Sequence, residues 1–95
     1  IVDDMVDTAG TITKAADMMK EAGAKSVRAA ASHCVMSGPA SDRVLNSSLD
    51  EIVFTDSIPY TSRCAKVRQL SVADMFAETI RRAVNNESIS SQYLV

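Results

Sequence analysis

The stretch from Thr11 to Ala22 constrains the architecture more tightly than any other. Ile12, Ala15, Ala16, Met19 and Ala22 recur at steps of three to four, while Lys14, Asp17, Lys20 and Glu21 fall mainly on the other side. That pattern predicts an amphipathic helix. Gly23 is placed to end it, because glycine takes the left-handed backbone conformation without a Cβ clash. Before the helix, Ile1–Val2 reads as the tail of a buried β-strand. After it, Lys25 to Ser32 is alanine-rich and weak in strand propensity, but its place behind a helix and a glycine turn makes it a strand. Strands separated by a helix imply a parallel sheet.

The alternation continues along the chain. Ser37 to Ala40, "SGPA", is a loop that can launch a helix, with Pro39 suited to the first turn because it has no N–H to lose. That helix is expected to run to about Asn46. Glu51 to Asp56, "EIVFTD", is the clearest strand; Ser57 to Ala65 is a loop, and Lys66 to Leu70 another short strand. Ser71 with Asp74 three residues on resembles a capping box, with Asp in place of Glu. The helix that follows carries Val72, Met75, Phe76, Thr79, Ile80, Ala83 and Val84 on one stripe and ends at Asn85–Asn86. The expected class is α/β, a mainly parallel sheet flanked by helices. Residues 1–95 form one small domain, with 87–95, "ESISSQYLV", as a polar tail.

Charge and cysteine content remove several function classes. A net charge of −2 leaves no basic face for nucleic acid or an anionic membrane. No apolar run reaches the length of a membrane span. Cys34 and Cys64 have neither metal-ligand spacing nor the density of a disulfide scaffold, so both are expected to be reduced thiols. The chain opens without a methionine and almost directly on its richest motif, which suggests a piece of a longer protein.

That motif is "VDDMVDTAGT", Val2 to Thr11. In open α/β sheets ligands bind where strands end and helices begin. Asp3 and Asp4 sit at such a strand end, and Thr8, Ala9, Gly10 and Thr11 occupy the turn into the helix. Unpaired N–H groups and the macrodipole at a helix start stabilise phosphate. Gly10 allows close backbone approach, while Thr8, Thr11 and Thr13 offer hydroxyls. Ionised carboxylates only accept, so Asp3 and Asp4 suit a ligand's hydroxyls or a metal-bridged anion. The residues alone leave two readings: a sugar-phosphate site, or solvated acids ahead of a capped helix.

The stretch "VDDMVDTAGTITKAADMMKEAGAKSVRAAASHCVMSGPA", with "DRVLNSSLDEIVFTDSIP", "VRQLSVADMFAETIRRA" and "NNESIS" after it, resembles the ribose-phosphate diphosphokinase (ribose-phosphate pyrophosphokinase) family. The core DDxxDTAGT alone would point only to type I phosphoribosyltransferases; "SGPA", "TDSIP" and "ESIS" narrow the likeness to the synthetase. The resemblance implies a partial type I phosphoribosyltransferase-like domain. It implies Mg²⁺-dependent transfer of diphosphate from ATP to the 1-hydroxyl of ribose 5-phosphate, giving AMP and phosphoribosyl diphosphate. By motif, Asp3 and Asp4 would hold the ribose hydroxyls, and Asp7, Thr8, Ala9, Gly10 and Thr11 would cradle the 5-phosphate. The family's ATP-binding residues, metal-binding His and Asp, and catalytic Lys and Arg lie upstream of this motif. No catalytic or metal-binding residue is therefore expected in this chain, which should be inactive alone. The family is cytoplasmic and assembles as homohexamers built from dimers. Related alternatives are a non-catalytic regulatory relative and a purine or orotate phosphoribosyltransferase.

The remaining conspicuous residues read more plainly. His33 and Cys34 are expected to be a hydrogen-bonded structural histidine beside a buried thiol; the family usually has Pro or Gly where Cys34 stands. Met18 and Met19 read as core filling. Lys14, Lys20 and Lys25 read as a solvated helix face and turn, and Arg81–Arg82 as favourable charges at a helix C-terminus. Composition makes the tail a frayed terminus. The resemblance instead implies an effector site for ADP and phosphate between subunits, with Ser88 and Ser90 donating to phosphate and Tyr93 stacking on adenine where the family has Phe.

Overall fold

The computed structural model describes residues 1–93; Leu94 and Val95 of the expected tail lie outside the described residues. Four strands, β1 (Val2–Val6), β2 (Arg28–Cys34), β3 (Glu51–Thr55) and β4 (Val67–Leu70), form one sheet in the order β1-β2-β3-β4. Every neighbouring pair is parallel, with Val2 opposite Ala30, Ala30 opposite Val53 and Val53 opposite Arg68. The helices are α1 (Gly10–Glu21), α2 (Ala40–Leu45) and α3 (Ala73–Val84), followed by a 3₁₀ turn, Ser90–Tyr93. Right-handed crossovers between strands that advance in one direction place α1 and α2 on the same face. There Ile12 and Ala16 of α1, Ala40 and Val44 of α2, and Ala29, Ala31, Ile52 and Phe54 of the sheet make the core. The alanines of β2 suit this place, since small side chains under two helices let both approach the sheet.

No helix links β3 to β4. The loop of residues 56–66 covers the same face instead, with Tyr60 and Cys64 packed on the core. It is pinned by a 2.6 Å hydrogen bond between Tyr60 and Ser41 of α2. Gln69 adds to this by accepting from the Tyr60 amide and donating to the Ile58 carbonyl.

Several expectations need correction. Strand β2 begins at Arg28, not Lys25, because Gly23, at φ 107°, closes α1 and Lys20 donates to the Lys25 carbonyl to hold a turn there. The buried face of α1 centres on Ile12, Thr13 and Ala16. Met18 and Met19 are not core: they stay 60% and 45% exposed, because α1 flanks the outer strand of the sheet and, among the described residues, no further element lies beyond it. The capping box does not form. Helix α3 starts at Ala73 with no side-chain cap, the Val72 amide donates to Asp56 at the end of β3, and Ser71 accepts from Ala73. Cys34 is buried and Cys64 partly so, and both are free; burial pushes the Cys34 thiol above its ordinary pKa.

Two surfaces remain uncovered. A parallel sheet usually has both faces buried, yet the face opposite α1 and α2 exposes Val2 at 88% and Leu70 at 64% beside Ala30 and Val53. Helix α3 has the expected apolar stripe but no buried residue, and Phe76 is 49% exposed. The radius of gyration, 16.1 Å, exceeds the roughly 12 Å of a compact domain this long. No helix among the described residues is long and apolar enough to cross a membrane.

The tail is not frayed over its described part. Arg81 binds Glu78 and Glu87, and Arg82 binds Glu78, the Ser88 carbonyl and the Ser91 hydroxyl. These hydrogen bonds, from Arg81 first and then Arg82, draw the Glu78 pKa from 4.5 down to about 2. A carboxylate with a lowered folded pKa favours the folded contact above its unfolded pKa and loses that contribution as pH falls toward the folded one. Amides of Ser91 and Gln92 should therefore keep their chemical shifts down to about pH 4.5 and move between there and about pH 2. Shifts that stay constant to pH 2 would show that Glu78 does not order the tail.

Candidate functional site

The opening loop lies at the carboxyl end of β1 and runs straight into α1. Its key backbone feature is Ala9, which adopts φ 64° and ψ 12° as the N-cap of α1. A left-handed residue followed by helical ones turns successive N–H groups toward one side, the concave arrangement that binds anions. Those amides border an open groove of about 770 Å³ lined by Asp3, Met5, the loop residues Asp7 to Thr11, and Lys14, Ala15 and Met18 of α1. Thr8 and Thr11 are exposed at its rim. Thr13 does not serve the groove. It is buried, and its hydroxyl donates to the Ala9 carbonyl at 2.6 Å.

Asp3 and Asp4 stand one residue apart on an edge strand, so the pleat sends them opposite ways. Only Asp3 lines the groove. Yet both carboxylates fold back along the strand: Asp3 accepts from the Asp4 amide and Asp4 from the Met5 amide, each at 2.8 Å. They approach closely enough that the Asp3 carboxyl, then the Met5 amide, holds Asp4 below the ordinary carboxylate range; His33 adds a smaller contribution. The two acids thus interact with each other, Asp3 in the groove and Asp4 beside it on the strand, both exposed and able to accept from a ligand's hydroxyls.

Asp7 faces the second βα loop, where its carboxylate accepts from the Ser37 hydroxyl and its carbonyl accepts from the Ser37 amide. His33 Nδ1 lies 2.7 Å from the Ser57 hydroxyl, a hydrogen-bonded position, though an exposed one. The tail residues do not join this cluster. Ser88 and Ser90 lie beside α3, and Tyr93, 49% exposed, shares a 2.6 Å hydrogen bond with Thr79. Two neighbours of the loop escaped the sequence reading. Lys14 lines the groove, and Arg43 Nη1 donates to the Thr8 carbonyl at 3.1 Å. Lys14 could have been found one helical turn after Gly10; nothing in the sequence near Arg43 points across to residue 8.

Comparison with known proteins agrees with this geometry. A family profile described as the phosphoribosyl synthetase-associated domain matches residues 1–94. The ribose-phosphate pyrophosphokinase of Porphyromonas gingivalis is 66% identical over 93 residues, which is 98% of this chain and 30% of that protein. The same-named protein of Xanthomonas axonopodis pv. citri is 55% identical over 97 residues, 99% of this chain and 30% of its own length. In space, the chain is similar to phosphoribosylpyrophosphate synthetase from Mycobacterium smegmatis, with a TM-score of 0.87 and 40% identity over 90% of this chain and 29% of that one. The chain spans about 30% of the length of the curated relatives it matches. It belongs to the phosphoribosyl synthetase-associated domain family, in the form found in ribose-phosphate pyrophosphokinases.

Proposed function

We propose that this chain supplies the ribose 5-phosphate side of a cytoplasmic ribose-phosphate pyrophosphokinase. That enzyme would transfer diphosphate from ATP to the 1-hydroxyl of ribose 5-phosphate, releasing AMP. The observation that carries this reading is the pairing of a left-handed turn into α1 with the exposed carboxylate of Asp3 in one groove, Asp4 standing exposed next to it on β1. A phosphate suits the amides of residues 9–11, and a diol suits Asp3 and Asp4. Asp7, Thr8 and Thr11 complete the cradle.

Transfer from ATP depends mainly on positioning and on neutralising the moving phosphates. Among the described residues no three His, Cys, Asp or Glu side chains come together to hold a metal. Mg²⁺ commonly takes only one or two carboxylates and completes its shell with water and phosphate. Asp3 and Asp4 fit that minor share, and the rest of a Mg²⁺ site and the ATP pocket would be supplied by other residues. Residues 1–95 would then be the partial phosphoribosyltransferase-like domain, with 87–95 its tail. Ser88, Ser90 and Tyr93 would line an ADP and phosphate effector site between subunits of a homohexamer; the exposed stripe of α3 and the half-exposed ring of Tyr93 are compatible with such a contact.

Calorimetric titration tests the substrate assignment. Ribose 5-phosphate should bind more tightly than ribose or inorganic phosphate alone, because only it engages both halves of the groove. Equal affinity for the three would overturn the reading. The 95-residue chain alone should form no phosphoribosyl diphosphate from ATP and ribose 5-phosphate, and formation would overturn the division of labour.

A further inference from the structure

The carbonyls of the opening loop raise an accounting question, since a concave run of amides works only if its carbonyls face elsewhere. The Val6 carbonyl accepts from the Met36 amide at 2.9 Å, and the Asp7 carbonyl from the Ser37 amide at 2.9 Å. The Ala9 carbonyl accepts from the Thr13 amide at 3.2 Å and the Thr13 hydroxyl at 2.6 Å. Between them the Thr8 carbonyl is held by the guanidinium of Arg43 at 3.1 Å. Val6, Asp7 and Ala9 are thus anchored by backbone amides, and Thr8 by an exposed side chain from another helix.

The peptide between Thr8 and Ala9 is also the one whose orientation is least settled by local preference. Ala9, at φ 64° and ψ 12°, has the dihedrals of the third residue of a type II turn, a place that favours glycine. Rotating that peptide would return Ala9 to the type I region, near φ −90° and ψ 0°, and relieve its left-handed strain. It would also swing the Thr8 carbonyl from the α2 side into the groove, where its oxygen would oppose an anion. Gly10 forms the wall between this groove and a second one, between α1 and α2, that Arg43 lines. A Cβ at Gly10 would stand 3.1 Å from Arg43 Nη1, so the end of the guanidinium lies against the turn. Arg43 does not line the ligand groove, and no ion pair among the described residues engages it.

We infer that Arg43 is a positioning residue that latches the Thr8–Ala9 peptide in its anion-binding orientation. The inference rests on reading the groove as a ribose 5-phosphate site only for its effect on affinity; the latch itself is a property of the free chain. Its role is to capture a carbonyl, and it makes no contact with the phosphate.

Two readouts test it. In the ligand-free protein, the three-bond coupling between the Ala9 amide and Hα protons reports φ, and in Arg43→Ala it should rise toward the larger value of a residue near φ −90°. In titrations, Arg43→Ala should weaken ribose 5-phosphate about 10- to 100-fold, as expected for losing a hydrogen bond to a charged donor. Binding of ribose should not change. Arg43→Lys, which keeps a cationic donor, should recover part of the loss, whereas Arg43→Gln guards against a failure of the alanine variant to fold. In an Ala9→Gly background the Arg43→Ala effect should shrink, because glycine carries no left-handed strain. An unchanged Ala9 coupling in Arg43→Ala overturns the latch, whether or not the groove binds sugar phosphate. A changed coupling with no ribose 5-phosphate binding by the unaltered protein would uphold the latch and count against the proposed substrate.

Discussion

Phe54→Ala should cost about 3–5 kcal/mol of folding stability, the range for removing a fully buried aromatic ring. Phe54 is 1% exposed and sits on β3, between β2 and β4, against the core made by α1 and α2. Its partner across the β2–β3 pairing is the short Ala31, and the buried cluster it belongs to also includes Ala29, Ala16 and Ala40. Alanines have no side chain to swing inward, so the cavity should persist. Domains of this size commonly have about 5–15 kcal/mol in total. Urea denaturation should show a large drop in midpoint with an unchanged slope. A loss under about 1 kcal/mol would mean that Phe54 is not central to the core.

Asp3→Asn with Asp4→Asn should weaken ribose 5-phosphate by about 100-fold or more, since hydrogen bonds to charged groups are worth about 1.5–3 kcal/mol each. The control is more telling than the loss. Removing two negative charges beside an anion site should leave inorganic phosphate bound as well as before or better. Opposite responses of the sugar and the anion are expected only if the acids hold the hydroxyls and the turn holds the phosphate. Parallel loss of both ligands would show that the acids support the loop as a whole.

Much of the architecture could be read from residue patterns, because it depends on local chemistry. "EIVFTD" could be recognised as a strand from its β-branched and aromatic residues, and β3 spans Glu51–Thr55. Gly23 ended α1 where a left-handed residue was required. The errors arose where tertiary partners decide. Met18 and Met19 fit an apolar helix face equally well whether or not a strand lies beyond β1, and none does among the described residues. Ser71 and Asp74 have capping chemistry, but Asp56, from fifteen positions before Ser71, reaches the Val72 amide first. The stripe on α3 was legible as a pattern, though no pattern states what it meets. At the site, the acids and the turn were visible because they are contiguous. Ser37 and Arg43 act on the loop from the next crossover, a relation that exists only once β1 and β2 are paired.

In the 95-residue chain taken by itself, where β1 is the outer strand of the described sheet, Asp3 and Asp4 have a second effect. An unpaired strand edge is a template on which another chain can add a strand, and such edges are commonly protected by charge. Here the two carboxylates bind the amides of Asp4 and Met5 and carry the edge's negative charge. Neutralising them would both empty the sugar's half of the groove and remove the repulsion that keeps like molecules apart. The Asn variants should therefore aggregate more readily than the unaltered chain, most of all near neutral pH, where losing two of the 12 acids cancels the net charge of −2.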